Sequence, residues 1–211
     1  MSRKHLLPGV LLIGILISAC ANPAANKPKA TVGNAAPEPQ ASKPANAETL
    51  SITPENSKVE FVAAKVTRSH NGSFKRFSGT IDLVNDKPEE SRVKIEIEAN
   101  SVVTDEPDLT KHLQTPDFFD VSKFPKTTFT STLIEPAGGS SYFVTGNFDL
   151  HGIKSSIRFP ATIQVAPDKA TLNAEFAINR KDWGLTYPGK ADDLIRDGVV
   201  IKLNVNVPRQ K

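Results

Sequence analysis

Cysteine is almost absent from this chain of 211 residues: Cys20 is the only one, beside one tryptophan, one methionine and two tyrosines. A single thiol excludes an internal disulfide, and it excludes zinc sites built from two or more cysteines. The folded part of the chain must therefore depend on a hydrophobic core rather than on covalent cross-links.

A strong net charge is also missing. The 26 Lys and Arg residues against 23 Asp and Glu residues give a formal net charge of +3. Arg3 and Lys4 lie in a leader without acidic residues, so the rest of the chain has 24 basic against 23 acidic residues, or +1. Because nucleic-acid binding needs a clustered basic face, we expect no nucleic-acid partner.

The residues that metal sites and hydrolytic enzymes need are scattered. Beyond the leader the histidines are His70, His112 and His151, which lack the paired spacing of a zinc site. The chain has no Gly-x-Ser-x-Gly elbow and no phosphate-binding glycine loop. The acidic residues around Asp193 do not have the spacing of a calcium loop. We therefore expect no metal, no cofactor and no enzymatic activity.

The first twenty residues have the pattern of a bacterial export signal. A basic start at residues 3–5 precedes an apolar run over residues 6–17 and two small residues before Cys20. The run is shorter than the roughly 20 residues of a membrane-spanning helix. Residues 16–20 (LISAC) also resemble the lipobox of bacterial lipoprotein precursors. We predict a signal peptide over residues 1–19 and lipidation of Cys20.

Lipidation would anchor the protein to a membrane of the cell envelope, with its domain outside the cytoplasm in the periplasm. Ala21 follows the cysteine without an acidic retention signal, which favours the outer membrane where one exists. Residues 20–47 combine the lipidated cysteine with a stretch rich in Pro, Ala, Asn and Lys, and Val32 is the only larger aliphatic residue there. This composition predicts a disordered linker that lets the domain stand off the membrane.

The rest of the chain, residues 48–211, is predicted to be one all-β domain. Apolar residues recur at every second position, most clearly where Val93, Ile95 and Ile97 alternate with charged residues. Eight strands are predicted, over residues 59–66, 77–83, 92–99, 127–134, 142–150, 157–165, 172–178 and 199–207. Residues 108–115 are predicted to form one or two helical turns, and Asn71-Gly72 is predicted to be a turn.

Short polar turns between strands with one apolar face indicate an antiparallel meander. Eight such strands commonly close into a barrel, which leaves no free edges. Some positions on the apolar faces are small: Gly79, Gly146, Ala161 and Ala174. Either they leave space for an apolar tunnel or they fit the taper of a packed barrel. The pattern alone does not decide between these alternatives.

Five motifs, in order, make the region from about Leu50 to Val207 resemble the YceI-like family of periplasmic proteins. They are residues 57–61 (SKVEF), 72–79 (GSFKRFSG), 112–120 (HLQTPDFFD) with Phe124, Pro125 and Phe129, 146–152 (GNFDLHG), and 179–184 (NRKDWG). The resemblance implies a lipocalin-like barrel that binds a polyisoprenoid or isoprenoid-quinone lipid, with the apolar chain threaded through the barrel.

The resemblance also implies which residues would contact such a lipid. In the barrel interior and mouth they would be Phe77, Gly79, Ile81, Val93, Ile95, Phe118, Phe119, Phe129, Gly146, Phe148, Phe159, Ala161, Ala174, Phe176 and Trp183. The available partners for a polar head group are His112, His151, Arg180 and Asp182. For Arg180 and Asp182 the alternative is a structural salt bridge that closes the last loop.

A different class of function also fits the pattern. A fully packed barrel without a ligand would indicate an envelope lipoprotein that acts as a protein-interaction module. Whether the chain forms a homodimer, and whether it carries or stores lipid, is left open by the sequence.

The leader generates the first testable prediction. Cys20→Ser should abolish acylation, and the domain should either become soluble or stay attached to an uncleaved precursor. Metabolic labelling with a fatty acid, followed by separation of membrane and soluble fractions, measures both effects. Unchanged acylation and unchanged membrane partition of the variant would show that Cys20 is not the anchor.

Overall fold

The computed structural model describes residues 22–37 and 46–209. The predicted signal peptide and Cys20 lie outside the described residues. Within the described part of the chain, no helix is both long enough and apolar enough to cross a membrane.

The described residues form fourteen strands, one α-helix and two short 3₁₀ turns at Ala99–Ser101 and Arg180–Trp183. In chain order they are β1 Thr31–Asn34, β2 Ala47–Ile52, β3 Ser57–Ala64, β4 Ser69–Phe74, β5 Phe77–Val84, β6 Lys87–Glu98, β7 Val102–Thr104, α1 Pro107–Leu113, β8 Lys126–Gly138, β9 Ser141–Leu150, β10 Ile153–Val165, β11 Lys169–Asn179, β12 Gly189–Lys190, β13 Asp193–Leu194 and β14 Gly198–Pro208.

One sheet contains all of these strands except the small β12–β13 pair, and it curls around a common interior. Its order is β2-β5-β6-β8-β9-β10-β11-β14-β3-β4-β7, with β1 added beside β10. Only Lys75 and Arg76 separate β4, near one end of this order, from β5, near the other. Their continuity brings the two ends of the curled sheet together, so that it encloses a barrel-like core.

The alternation in the sequence explains which side of each strand faces that core. In β6, Val93, Ile95 and Ile97 are buried, whereas Lys94 is exposed. The all-β, antiparallel, lipocalin-like fold is confirmed, and each of the eight predicted strands is present. The helical prediction is also confirmed by α1, in which Pro occupies the first turn, where a missing N–H does no harm.

The sequence pattern missed several short strands and misplaced one turn. Asn71 and Gly72 lie inside β4, not in a turn. Gly72 pairs with Phe61 of β3. A side chain at position 72 would collide with the ring of Phe61, so only glycine fits there. The strands β1, β2, β4 and β7 are short or mostly polar, and their alternation is correspondingly weak.

The prediction that residues 20–47 form a disordered linker is wrong for residues 22–37, which we call the N-terminal strap. Within the strap, β1 pairs with β10 from Thr31↔Arg158 to Asn34↔Ser155. On its other side, Ala30 N donates to the Ala177 carbonyl of β11, and Ala177 N donates to the Pro28 carbonyl. The strap therefore lies as a strand between β10 and β11.

The strap is ordered because β10 and β11 leave their backbone groups unpaired at this place. The direct pairing of these two strands covers only Thr162–Val165 against residues 170–173. Beyond it the strands separate, and unpaired strand edges readily accept another strand. A composition-based argument counts apolar residues and does not register such backbone hydrogen bonds.

Side chains also hold the strap. Val32 packs against the main core, and Ala24 is buried against Ala177 and Val200 on the outer face of the barrel. The side-chain amide of Asn147 makes two hydrogen bonds to Ala36. The amide oxygen accepts from the Ala36 N–H at 2.9 Å, and the amide nitrogen donates to the Ala36 carbonyl at 2.8 Å. The strap is thus part of the barrel wall, and the predicted stand-off linker is not formed by these residues.

The pairing of the strap generates a prediction. Ala30→Pro removes the N–H that bonds the Ala177 carbonyl, which should loosen the strap by about 0.5–1.5 kcal/mol. Hydrogen exchange measured over residues 28–36 should accelerate up to about tenfold. Gly33→Ala is the matched control, since a methyl group there meets no atom within 4 Å. Exchange in the parent protein as fast as in a free peptide would show that the strap is not docked.

Candidate functional site

An apolar cavity of about 150 Å³ occupies one half of the barrel interior. It lies at the end where β3, β9 and β11 finish and where β8, β10 and β14 begin, and we call this end the mouth. Its lining consists almost wholly of aliphatic and aromatic residues, with Glu60, Thr127 and Arg180 as the exceptions. The other half of the barrel is filled by packed aliphatic side chains, so the cavity does not continue through it.

A pair of stacked rings lines the cavity on the side of β10 and β11, next to the packed half. Phe159 of β10 and Phe176 of β11 have ring centroids 4.2 Å apart and an interplanar angle of 12°. Both line the cavity, and Phe129 packs against Phe159 at 5.7 Å. We call the Phe159–Phe176 pair the floor. If the register of Thr162↔Asn173 is continued, Phe159 and Phe176 lie opposite each other, three positions beyond the last backbone pair.

The mouth is covered by α1 and the segment that follows it. Leu113, Phe118 and Phe119 line the cavity from this side, and Leu185 lines it from the loop after β11. Phe119 packs against Phe74 at 5.9 Å, and Phe118 packs against Tyr187 at 5.3 Å. These residues form a cap made of loop and short helix, in contrast to the floor, which is made of sheet.

Seven of the fifteen residues predicted to contact a lipid in the interior or mouth line this cavity. They are Ile95, Phe118, Phe119, Phe129, Phe148, Phe159 and Phe176. The other eight lie outside its lining: Phe77, Gly79, Ile81, Val93, Gly146, Ala161, Ala174 and Trp183.

The small residues at predicted interior positions do not open a tunnel. A side chain on Gly146 would collide with the ring of Phe129, and one on Gly79 would collide with the Lys94 carbonyl. Ala161 and Ala174 are buried in the main core, one step beyond the floor towards the packed half. At these four positions the barrel is packed and has no tunnel, because neighbouring side chains and strands already fill the space.

Trp183 is fully buried beside the cavity rather than in its lining. Its Nε1 donates to the Phe148 carbonyl at 3.3 Å, and the Phe148 ring packs against its indole at 5.2 Å. This tryptophan therefore fixes the position of a lining residue and does not face the cavity.

Arg180 lines the cavity and is only 4% exposed. Its guanidinium donates to the carbonyls of Leu185, Ile195 and Arg196 and lies 3.4 Å from Asp197. Burial lowers the pKa of Arg180, and the carboxylate of Asp197 opposes that shift. The predicted structural role, closing the last loop, agrees with these contacts, but the acidic partner is Asp197 and not Asp182.

The other predicted head-group residues lie at the mouth, outside the lining. His112 Nε2 is 2.8 Å from Asp117, and its ring packs on Phe118 and Tyr187. His151 packs against Phe124 at 4.5 Å. Asp182 is exposed on the outer side of the 3₁₀ turn. Among the described residues, no group of three or more His, Cys, Asp or Glu could hold a metal ion.

Sequence reasoning missed lining residues that lie outside the clear strands. Leu113 and Leu185 belong to the cap, and Thr127 is a buried polar residue at the start of β8. The only signal for Leu113 and Leu185 was their place in the two long connections, and the only signal for Thr127 was its place at the start of a predicted strand. In contrast, Ile157, Ile178 and Ile201 line the cavity and follow directly from strand alternation.

A curled antiparallel sheet around an apolar interior with a capped mouth defines a lipocalin-like barrel protein. The model of the YceI-like domain matches residues 50–207. The chain therefore belongs to the YceI-like family. The strap lies before the matched region and is an addition to it.

Curated relatives are UPF0312 proteins of Pseudomonas. That of Pseudomonas putida strain W619 is 31% identical over 125 residues, which cover 56% of this chain and 65% of the relative. That of Pseudomonas syringae pv. tomato is 32% identical with the same coverage. The chain thus spans slightly less than two thirds of the length of these relatives.

Among solved structures, Burkholderia cenocepacia BcnA superposes with a TM-score of 0.68 at 26% identity, covering 74% of this chain and 98% of BcnA. A polyisoprenoid binding domain from Saccharophagus degradans superposes with a TM-score of 0.61 at 17% identity, covering 77% of this chain and 98% of that domain. At that identity the second likeness shows the fold alone.

The contacts of Arg180 generate a prediction. Arg180→Met should lower the free energy of unfolding by about 2–4 kcal/mol, because three carbonyls in the last loop lose a buried donor. Urea unfolding measures this loss. Asp182→Asn is the neighbouring control and should be nearly neutral, since that residue is exposed. Equal stabilities of the Arg180 variant and the parent would contradict a structural role for the guanidinium.

Proposed function

We propose that this protein binds one long apolar lipid, of polyisoprenoid or isoprenoid-quinone type, in the barrel cavity. It does so in the bacterial cell envelope, anchored to a membrane through lipidated Cys20. The observation that carries the proposal is the cavity itself, whose lining offers aliphatic and aromatic surface almost exclusively. The protein acts as a binding protein and not as an enzyme.

The chemistry of the lining favours an apolar chain. Burial of apolar surface contributes about 25 cal/mol per Å², so each isoprene unit that enters adds to affinity without a directional contact. The rings of Phe118, Phe129 and Phe148 give the lining flat faces suited to planar, unsaturated groups. A hydrophilic ligand would lose its hydration there and gain few hydrogen bonds in return.

The size of the cavity indicates how a long chain fits. A dry apolar cavity of about 150 Å³ holds a group of roughly the size of benzene. A chain of several isoprene units therefore requires side chains to move. The cap consists of one short helix and loops, whereas the floor joins two strands of the sheet. We propose that the lipid enters at the mouth by displacing Phe118, Phe119 and Leu185, and that its tail ends near the floor.

The polar end of the lipid would then remain at the mouth. Arg180 lines the cavity and uses four of its five N–H donors on carbonyls and Asp197, which leaves one Nη1 hydrogen for a head-group oxygen. His112 stands beside Phe118 in the cap and is only partly exposed. These two residues are the proposed head-group contacts, while Asp182 faces away from the cavity.

The fold relatives support this choice of ligand. The Saccharophagus degradans protein of the same fold is named as a polyisoprenoid binding domain. That name supports the isoprenoid class here only together with the apolar lining, because the two sequences are 17% identical. The alternative of a protein-interaction module predicts a fully packed barrel, and the apolar cavity argues against it.

A pair of variants tests this proposal. Ile201→Phe adds bulk at a cavity-lining position and should weaken binding of a fluorescent isoprenoid probe by about tenfold or more, with little loss of stability. Ala161→Phe introduces the same side chain in the packed half and should cost about 1–3 kcal/mol of stability or more while the cavity itself is kept.

Probe titration and urea unfolding are measured on both variants and on the parent. Absence of probe binding by the parent, or unchanged probe affinity of the Ile201 variant, would show that this cavity is not the lipid site.

A further inference from the structure

We infer that the mouth of the barrel rests directly on a lipid bilayer, with Val66, Ile153 and Leu194 entering its headgroup region. This inference rests on the proposed anchoring through Cys20. It assigns a membrane-contact surface to the loops at the mouth, which we call the rim: residues 65–68, 151–153 and 189–195.

The distribution of exposed apolar residues supports this assignment. Within residues 22–37 and 46–209, four large hydrophobic side chains are strongly exposed: Val66 by 49%, Leu133 by 51%, Ile153 by 40% and Leu194 by 50%. Leu133 lies on the wall, within β8, whereas the other three lie on the rim. Single exposed hydrophobics are ordinary, but three of the four lie at the same end of the barrel, where one apolar partner could cover them.

Val66 and Leu194 are held together at one place on the rim. Val66 N donates to the Leu194 carbonyl at 3.1 Å, which joins the β3–β4 loop to the β12–β13 hairpin. Asp193 strengthens this junction through its ion pair with Lys65 at 3.2 Å and its hydrogen bond from the Thr67 hydroxyl. The two apolar side chains are therefore presented on a fixed structure.

The strap places the anchor at the same end of the molecule. Ala24 packs directly on Gly198, the first residue of β14, which lies at the mouth. A Cβ atom added to Gly198 would lie 2.9 Å from the Cβ atom of Ala24. Ala24 lies four positions after Cys20, and four steps along the chain span at most about 14 Å. A bilayer that holds the acyl chains of Cys20 must therefore lie close to the mouth.

The rim carries charges of both signs, which suits contact with a bilayer better than binding of a strongly charged macromolecule. Lys65, Arg68 and Lys190 lie among Glu106 and Asp193, so neither sign dominates. Contact would then depend on the anchor and on buried apolar surface, with little dependence on ionic strength. In this orientation a lipid can pass between the bilayer and the cavity without crossing water.

The test uses the full lipidated protein in vesicles of phosphatidylethanolamine and phosphatidylglycerol. Because acylated Cys20 carries no free thiol, Val66→Cys, Leu194→Cys and Leu133→Cys each provide one site for a fluorescent label. Lipids that carry a quencher about 5–10 Å below the headgroups should quench the labels at 66 and 194 several-fold more than the label at 133. Leu133 is the matched control, since its exposure equals theirs.

Each outcome is decisive. Vesicle flotation reports the anchor, and selective quenching reports the docking. A protein that floats but shows equal quenching at all three positions overturns the docking and leaves the anchor standing. A protein that does not float overturns the anchor and the docking that rests on it. Thermal unfolding checks each labelled variant, and Ile153→Cys replaces a rim variant that fails to fold.

Discussion

The stack of Phe159 on Phe176 is the contact on which the rest of this barrel depends. Backbone pairing of β10 and β11 ends at Thr162↔Asn173, and the two rings meet three positions beyond that pair. On one side of the rings the interior is filled by aliphatic side chains, and on the other side it is open. Past the rings the strands separate, and the strap occupies the gap between them. The stack therefore lies where the packed half of the interior meets the half that can accept a guest.

This division of the barrel gives the proposed function a physical basis. The packed half supplies stability, so the other half can hold a cavity bounded by a cap of short helix and loops. An apolar lining without dominant charge suits a hydrocarbon chain, and Arg180 supplies the only cationic group in the lining. The strap completes the wall and, by its position, brings the proposed anchor to the mouth. Binding and membrane attachment would then take place at the same end of the molecule.

Much of the fold could be predicted from the sequence, because alternation over eight strands is a strong signal and residues such as Ile95, Phe159 and Phe176 follow from it. The cavity boundary could not, since it depends on which rings meet across strands: the Phe129 ring over Gly146 is invisible to a pattern of apolar positions. The strap was missed for a related reason. The strap is held in place by backbone hydrogen bonds to Ala177 and by the side-chain amide of Asn147. Neither contact can be deduced from amino-acid composition.

The central claim is that the apolar half of the barrel holds an isoprenoid lipid in the cell. Mass spectrometry of lipids extracted from protein purified under native conditions, without added lipid, tests it most directly. The account predicts about one isoprenoid-type lipid per protein molecule, retained through purification. Protein that carries no lipid, or only the bulk phospholipid mixture of the membrane, would contradict it.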